Sequence, residues 1–191
     1  MIRRWFGTLI LKIFGWKAVG GAHFPKRCVV LAHPHTSNLD FLIFLVARWS
    51  IQVRCHWVGK HTLFWPPLGW IMRFLDGVPV NRSGGRDSVS AIADAIEKRD
   101  TIALAIAPSG SRSRGDHWRS GFYHIAKKAD VPILLGFVDY KTKTVGLSDF
   151  SIQLTDNMKA DMDRFREFYQ HKTGRFPEQQ NPIRLKAESE A

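Results

Sequence analysis

Short apolar segments alternate with helical segments along most of this chain, and this alternation limits the fold more than any other feature. Apolar runs of strand length lie at residues 28–32, 52–58, 78–81, 102–107, 132–140 and 144–147. Helical patterns occupy residues 41–49, 70–75, 86–98, 121–129 and 157–169. Such alternation is typical of α/β domains, and 191 residues fit one domain. We therefore predict a single α/β domain with a mixed central sheet flanked by helices.

The first 22 residues differ from the rest in pattern. Trp5, Leu9, Ile13 and Trp16 recur at helical spacing, and basic residues lie among them. Tryptophan beside basic residues suits a membrane interface, so residues 1–22 are predicted to form an amphipathic membrane-interface helix. A surface helix packed on its own domain is the alternative. No segment reaches the ~18 uninterrupted apolar residues of a transmembrane helix.

Two boundaries follow from these patterns. Residues 23–176 contain all the predicted strands and form the main domain. From residue 177 onward the chain is polar, so residues 177–191 are predicted to be a disordered tail. The two cysteines, Cys28 and Cys55, lie inside apolar runs without metal-ligand spacing. We expect them to be reduced, buried core residues in a cytosolic compartment, rather than a disulfide or a reactive thiol.

The charge of the chain indicates anionic partners. It has 28 Lys and Arg residues against 17 Asp and Glu residues, a net charge of +11. Phospholipid head groups, nucleic acids and phosphorylated substrates all meet this requirement. The seven Trp and thirteen Phe residues favour lipid. Because the basic residues form no RNA-binding or helix-turn-helix pattern, no nucleic-acid partner is expected.

The segment HPHTSNLD, residues 33–40, carries the strongest chemical signal. It follows a predicted buried strand and precedes an apolar helix, where open α/β sheets place their sites. Here His35 lies in the loop and Asp40 in the first helical turn. The Asp40 carboxylate can then accept a hydrogen bond from one imidazole nitrogen and leave the other as a base for a substrate hydroxyl. The alternative is a helix cap and an ordinary surface histidine.

Two further loops place arginine after a strand. Arg82 directly follows the apolar run 78–81, and the loop PSGSRS follows the predicted strand 102–107. Backbone N–H groups and a guanidinium both complement a phosphate, although such arginines are often only solvated or ion-paired. Near these loops, Arg119 either adds to the positively charged wall that the two arginines would form or caps the next helix. The candidate substrate-binding residues are Arg82, Ser109, Gly110, Ser111 and Arg112.

The order of these motifs resembles the glycerolipid acyltransferase family, best known for its 1-acylglycerol-3-phosphate acyltransferases. His35 to Asp40 matches its H-x4-D block, and GVPVNR is similar to the block ending G-x-(P/F)-(I/V)-(D/N)-R. SGSRS aligns with E-G-T-R-S, and VPI at 131–133 with the fourth block. Lys60, Leu63 and Phe64 are similar to a K-x-x-L-F segment. The resemblance covers roughly residues 28–140.

The resemblance implies a reaction. His35 acts as general base on an acceptor hydroxyl, Asp40 orients His35, and the alkoxide attacks the thioester of acyl-CoA or acyl-carrier protein. Neither a metal, a cofactor nor a covalent acyl-enzyme is expected. Arg82, Arg112 and the backbone at Gly110 are expected to hold the acceptor's phosphate. Segments 41–49 and 65–70 are expected to line an acyl tunnel, with ordinary core as the alternative.

The resemblance also implies the partners and the location. The default acceptor is the lysolipid lysophosphatidate. An anionic membrane surface is the expected partner, which indicates a peripheral protein on the cytoplasmic face of a bacterial cell membrane.

The chain departs from the family pattern in the third block. Ser109 stands for the usual Glu and Ser111 for Thr, and Leu134 replaces a second proline in the fourth block. A lost carboxylate implies a different acceptor or weakened activity. The alternative function is therefore a catalytically weak or silent lipid-binding protein on the same fold.

Overall fold

The computed structural model describes residues 2–80 and 85–189, and the predicted α/β fold is confirmed. The helices are α1 (Ile2–Ile13), α2 (Asn38–Ser50), α3 (Leu68–Phe74), α4 (Gly85–Glu97), α5 (Gly121–Lys128) and α6 (Met158–Tyr169). The strands are β1 (Lys17–Val19), β2 (Arg27–Ala32), β3 (His56–Lys60), β4 (Gly77–Val80), β5 (Ile102–Ile106), β6 (Ile133–Asp139) and β7 (Thr144–Ile152). Short 3₁₀ helices span His61–Phe64, Pro177–Gln179 and Lys186–Ser189.

The seven strands form one mixed sheet in the order β1-β7-β6-β2-β5-β3-β4. Five neighbouring strands, from β6 to β4, run parallel to one another. Strand β7 returns antiparallel to β6, and β1 runs parallel to β7. The carboxyl ends of the five parallel strands therefore share one edge of the sheet. The loops after β2, β3 and β5, which carry His35, Leu63 and Arg112, follow three of those ends, so the topology gathers them at that edge, whereas the segment VPI at 131–133 lies at the start of β6.

The two faces of the sheet pack against different helices. In β2, Val29 and Leu31 lie in the core cluster that includes α4, α5 and α6. Cys28 and Val30 point to the opposite face, which α2 and the 61–74 region cover. Both cysteines are free and buried, as predicted. Burial raises the pKa of the Cys28 thiol to about 12, so it stays protonated at neutral pH.

The N-terminal helix is shorter than the predicted 1–22 segment. It ends at Ile13, where Gly15 has a φ of +71° and the Trp16 N–H donates to the Leu11 carbonyl at 2.7 Å. This is a Schellman-type stop, which glycine favours because it has no Cβ. Beyond it, Lys17–Val19 pairs with β7 as an edge strand. A strand of three residues is too short to give an alternating pattern.

The predicted disordered tail at 177–191 is wrong over its described residues. Leu185 is buried in the main core cluster, and the Trp118 N–H donates to the Arg184 carbonyl at 2.8 Å. The buried Asn181 side chain donates to the His117 carbonyl and accepts from the Gly115 N–H. Two apolar residues, Leu185 and Ile183, together with backbone and side-chain hydrogen bonds, thus hold a segment whose polar composition suggests disorder.

Helix α1 packs on α2 through a glycine. A Cβ at Gly7 would lie 2.8 Å from the Val46 carbonyl oxygen and 2.9 Å from the Ser50 nitrogen. Gly7 and Leu11 face inward, whereas Trp5, Leu9 and Ile13 are exposed. One side of α1 therefore packs on the domain, as the alternative prediction has it. The exposed apolar residues on its other side are not covered by any of the described residues. Within those residues, every helix is too short or too polar to cross a bilayer.

Replacing Gly7 with alanine is expected to weaken this packing. Because the nearest atoms are backbone, the added methyl group forces α1 away from α2, and we expect a loss of about 2 kcal/mol in the free energy of unfolding. Urea denaturation measures it. The control is Gly121→Ala, where a Cβ meets no atom within 4 Å. Equal stability of the two variants would contradict the close approach.

Candidate active site

The junction between β2 and α2 is built by a reciprocal helix cap. Ser37 is the N-cap residue, and its hydroxyl accepts a hydrogen bond from the Leu39 N–H at 3.2 Å. Asp40 makes the second hydrogen bond of the cap, because its Oδ2 accepts the Ser37 N–H at 2.8 Å. Such a capping box fixes both residues relative to the helix axis. The cap therefore sets the position of the Asp40 carboxylate before any tertiary contact is considered.

The structure brings the two predicted catalytic residues together. His35 Nδ1 lies 3.3 Å from Asp40 Oδ2, which also accepts the Thr36 N–H at 2.7 Å. Asp40 is 4% exposed, whereas the His35 ring is partly open to solvent. Asp40 is thus both a cap and a buried partner of His35. The second imidazole nitrogen, Nε2, remains available to a substrate.

The environment of Asp40 keeps its carboxylate ionised. Burial alone raises the pKa of Asp40, but the hydrogen bonds from His35, the Ser37 N–H and Tyr140 lower it by more, so the net shift is downward. A fixed negative charge beside Nδ1 favours the tautomer that carries its proton there.

Tyr140 completes this arrangement and was not among the residues predicted from the sequence. Its hydroxyl donates to Asp40 Oδ1 at 2.7 Å from the end of β6, 100 residues further along the chain. Burial and the neighbouring Asp40 raise the pKa of Tyr140, so the phenol stays protonated and acts as a donor. The edge of its ring contacts Trp16, with 5.0 Å between ring centroids. Its position after β6, at the edge that also carries His35, was the available signal.

The neighbouring histidine, His33, has a structural role. It is buried against Trp118 and Tyr169, with ring centroids 4.8 and 5.2 Å away. Burial, with a smaller contribution from His35, lowers the pKa of His33 to about 3. The ring is therefore neutral at physiological pH, and His33 borders the apolar cavity. The structure thus distinguishes two histidines that the sequence places two residues apart.

The remaining candidates occupy different places. Arg82 lies outside the described residues. Ser109 is buried, and its hydroxyl has no hydrogen-bond partner within the described part of the chain. Gly110 has a φ of +68°, and a Cβ there would lie 2.7 Å from Arg119 Cδ and Nε. The residues of the loop that line a groove together with His35 are Pro108, Gly110, Ser111, Arg112 and Ser113. Arg119 borders the same groove, so it extends the cationic wall.

Two hollows meet at His35. One is an apolar cavity of about 120 Å³ between α2 and the sheet, which Phe41, Phe44 and Leu147 help to line. The other is a groove of about 1750 Å³, here called the basic groove, whose cationic residues are Lys60, Arg112, Arg119, Lys127, Lys128 and Lys186. The residues that border both hollows are His35, Phe41, Trp57, Val58 and Ala107. An apolar group and an anionic group can therefore approach His35 from different sides.

The two predicted tunnel segments behave differently. In segment 41–49, Phe41, Phe44, Ala47 and Arg48 line the apolar cavity. Segment 65–70 does not line it, because Trp65 and Trp70 are each 69% exposed. Trp65 lies in the turn before α3 and Trp70 lies on α3, and both rings point outward, whereas Phe64 and Met72 pack inward. The expected role of segment 65–70 is therefore wrong, and its exposed rings need another explanation.

The C-terminal segment holds the site loops together. Thr36 Oγ1 accepts the Phe176 N–H at 3.2 Å. With its amide nitrogen turned inward, Gln179 donates to the Thr36 carbonyl at 3.3 Å and to the Arg112 carbonyl at 2.9 Å. The Gln179 side chain of the C-terminal segment thus links the loop that carries His35 to the loop that carries Arg112.

Comparison with known proteins agrees with this architecture. Residues 17–134 match the family model described as Acyltransferase. No curated protein matches the chain. The fold is similar to the crystal structure of the 1-acyl-sn-glycerophosphate (LPA) acyltransferase PlsC from Thermotoga maritima, with a TM-score of 0.59 and 16% sequence identity, over 87% of this chain and 74% of that chain. The likeness in structure concerns the fold, whereas the family model covers well over half of the chain, and so the chain belongs to the acyltransferase family.

Proposed function

We propose that this protein transfers a fatty-acyl group from acyl-CoA or acyl-carrier protein to a hydroxyl of a lysophospholipid-like acceptor, with lysophosphatidate as the default. One observation carries the proposal: His35, paired with the ionised Asp40, stands where the apolar cavity meets the basic groove. An acyl chain fits the first hollow by its chemistry, and phosphate groups of donor and acceptor fit the second.

The proposed reaction uses His35 twice. Its Nε2 takes the proton of the acceptor hydroxyl, and the acceptor oxygen attacks the thioester carbonyl. The tetrahedral intermediate collapses, the carbon–sulfur bond breaks, and the leaving thiolate takes the proton from the imidazolium. Asp40 stabilises that imidazolium throughout. The chemistry is complete without a cofactor, because the thioester supplies the driving force.

Substrate binding is proposed for the loop after β5. Arg112 and the backbone at Gly110, with Ser111, border the basic groove beside His35 and would hold an anionic group of the acceptor. Arg82 is proposed from its motif alone. Ser109 places a buried hydroxyl where the family has a carboxylate, and this change in the inner wall of the loop implies either a different acceptor or weaker activity.

The proposed location is the cytoplasmic face of a bacterial membrane. The exposed stripe of α1, Trp5, Leu9 and Ile13, provides an apolar surface, and Arg3, Arg4 and Lys12 provide charges for anionic head groups. The protein would thus bind peripherally and meet its lipid acceptor at the interface.

A silent lipid-binding protein is the second candidate, and Ser109 favours it. One experiment separates the two functions: thiol release from palmitoyl-CoA and palmitoyl-acyl-carrier protein with a panel of lysolipids, including lysophosphatidate. Acceptor-dependent release that disappears in His35→Ala supports the transferase and identifies the acceptor class. Binding to liposomes without release from either donor would support the silent protein.

Tyr140→Phe is expected to lower kcat about tenfold without changing KM, because Asp40 loses one of the donors that fix it while the groove keeps its residues. In a His35→Ala background the same change is expected to have no further effect, since Tyr140 acts through Asp40 on His35. Steady-state kinetics of the four proteins measure this. Tyr123→Phe is the matched control, as its hydroxyl donates to Asp161 at 2.9 Å away from the site. If Tyr140→Phe lowered kcat by the same factor with and without His35→Ala, its effect would be a general structural one.

A further inference from the structure

The positive charge of the chain is concentrated at one end of the sequence. Residues 1–75 contain ten Lys and Arg residues and a single acidic residue, Asp40, so this stretch carries nine of the eleven net positive charges. Asp40 is buried at the active site and does not offset them at the surface. The remaining 116 residues hold eighteen basic and sixteen acidic residues and are close to neutral.

The exposed apolar side chains are concentrated in the same stretch. Among the described residues, fourteen of the sixteen large hydrophobic side chains that are exposed belong to residues 1–75. Six lie in α1 or directly after it, two lie at the start of α2, and six lie in residues 63–74. Only Phe150 and Phe176 of the described residues lie elsewhere. Scattered exposed apolar residues need no explanation, but a concentration of this kind marks an interaction surface.

All of these side chains lie on one layer of the molecule. Leu11 of α1 and Ala47 of α2 pack on Val138 and Val145. On the same face of the sheet, Phe41 and Phe44 of α2 pack with Phe64 and Met72. Helices α4, α5 and α6 cover the opposite face. Helix α1 and the 63–74 region therefore flank α2 within a single layer.

The 63–74 region, here called the aromatic wedge, has a fixed shape. The Gly69 N–H donates to the Trp65 carbonyl at 2.7 Å, and the Gly69 Cα packs so closely on the Phe64 backbone that a Cβ there would overlap it. The Arg73 guanidinium donates to the Phe64 and Gly69 carbonyls. With the backbone tied inward, Trp65, Trp70 and Phe74 project outward, and Phe74 is 77% exposed.

We propose that the aromatic wedge is a second membrane-binding element, which enters the interface of an anionic bilayer together with α1. The exposed aromatic and basic side chains of the wedge suit a lipid surface as the binding partner. Two tryptophans are exposed beside Lys60 and Arg73, and residues 60–75 contain no carboxylate. Since the wedge is already held in shape, its insertion orders few additional groups.

Binding at two elements gives the molecule a defined orientation. One contact, at α1 alone, leaves the protein free to rotate on the membrane, whereas two contacts on either side of α2 do not. Leu42 and Leu63 are exposed on this layer and also line the basic groove. The groove therefore opens beside the proposed membrane surface, and a lipid can reach His35 without leaving the interface. This consequence depends on the proposed function, but the binding itself does not.

The test uses the whole protein and vesicles of phosphatidylglycerol and phosphatidylcholine in a sedimentation assay. Trp65→Ser/Trp70→Ser/Phe74→Ser is expected to weaken partitioning about tenfold or more, and Trp5→Ser/Phe6→Ser by a similar factor, because binding scales with inserted apolar area. Phe150→Ser, which removes an exposed aromatic ring outside the layer, is the control and is expected to bind as the unmodified protein does. Pure phosphatidylcholine vesicles are expected to bind all four proteins more weakly.

A folded wedge variant that binds anionic vesicles as tightly as the unmodified protein would overturn the proposal and leave a protein partner as the occupant of this surface. If the variant does not fold, an environment-sensitive dye on Phe74→Cys provides the second measurement. Its emission is expected to shift to the blue on anionic vesicles, and the same dye on Phe150→Cys is expected not to shift. Unchanged emission at residue 74 would equally overturn the proposal.

Turnover separates this inference from the proposed function. With a short-chain, water-soluble acyl-CoA and a soluble acceptor, the wedge variant is expected to keep its rate, since none of the three residues lines the cavity or the groove. A protein that shows the predicted vesicle binding but never releases thiol would contradict the transferase and leave the second membrane element in place.

Discussion

His35→Ala is expected to fold as the unmodified protein does and to release thiol from its acyl donor at about one-thousandth of the normal rate or less. The ring is partly exposed, and its contact with Asp40 can be lost without opening the core. What disappears is the only group of the pair that can take the acceptor proton, because Asp40 faces the imidazole and backbone N–H groups instead of the groove.

Asp40→Asn tests the other half of the pair and is expected to lose about 100-fold or more in kcat. The amide oxygen can still accept the backbone bonds of the cap, so the helix start keeps one acceptor. It carries no charge, however, and no longer stabilises an imidazolium. Circular dichroism and urea denaturation check the fold of both variants, and His23→Ala, an exposed histidine outside the site, is the control. Turnover that survives in a pure, folded His35→Ala preparation would exclude the general-base role.

Asp76→Asn is expected to cost about 3 kcal/mol in the free energy of unfolding, the largest stability effect of a single side chain that we foresee. Its carboxylate accepts from Arg48 Nη1 at 2.9 Å, and Arg48 is 5% exposed. Arg48 also donates to the Cys55 carbonyl at 2.8 Å and the Leu75 carbonyl at 3.1 Å. Without the carboxylate, a buried guanidinium keeps its charge but loses its counterion.

The choice of asparagine removes a competing effect. Asp76 has a φ of +63°, a conformation that asparagine tolerates and alanine does not, so the backbone contributes little to the change. The control acts on the same carboxylate: Arg54, 79% exposed, donates to its other oxygen at 3.3 Å. Arg54→Ala is expected to cost less than about 1 kcal/mol. Equal losses in the two urea titrations would show that burial of Arg48 does not control the strength of the pair.

The β2–α2 junction was predictable because its determinants are close in sequence. A buried apolar run, cap residues at 36–38 and an acid at N3 are sufficient to place His35 in a loop and Asp40 in the first turn. The parallel order of the strands then brings the loop after β5 to the same edge, as strand–loop–arginine patterns indicated. The mixed sheet followed from one short turn between β6 and β7.

The missed features depend on contacts between distant residues or on very short elements. Tyr140 meets Asp40 across 100 residues, and its position after β6 indicates only that it lies at the same edge of the sheet, not that it contacts Asp40. Strand β1 has three residues, which is too few to show the alternation of apolar and polar residues that indicates a strand. The rings at 65–70 were expected to line an acyl tunnel or to form ordinary core, yet the turn and short helix that pack on the Phe64 backbone leave them exposed. Burial of Leu185 was hidden because its neighbours are polar.

The link that Gln179 makes between the Thr36 and Arg112 carbonyls has a consequence for biosynthesis. The seven strands within residues 2–80 and 85–189, and both site loops, precede this residue in the chain, so a ribosome has already released them when Gln179 emerges. A growing polypeptide therefore holds the His35 loop and the Arg112 loop unlinked until the C-terminal segment is translated. Premature stop codons after α6 would yield a protein that has every strand and the His35–Asp40 pair but lacks the side chain that joins its two loops.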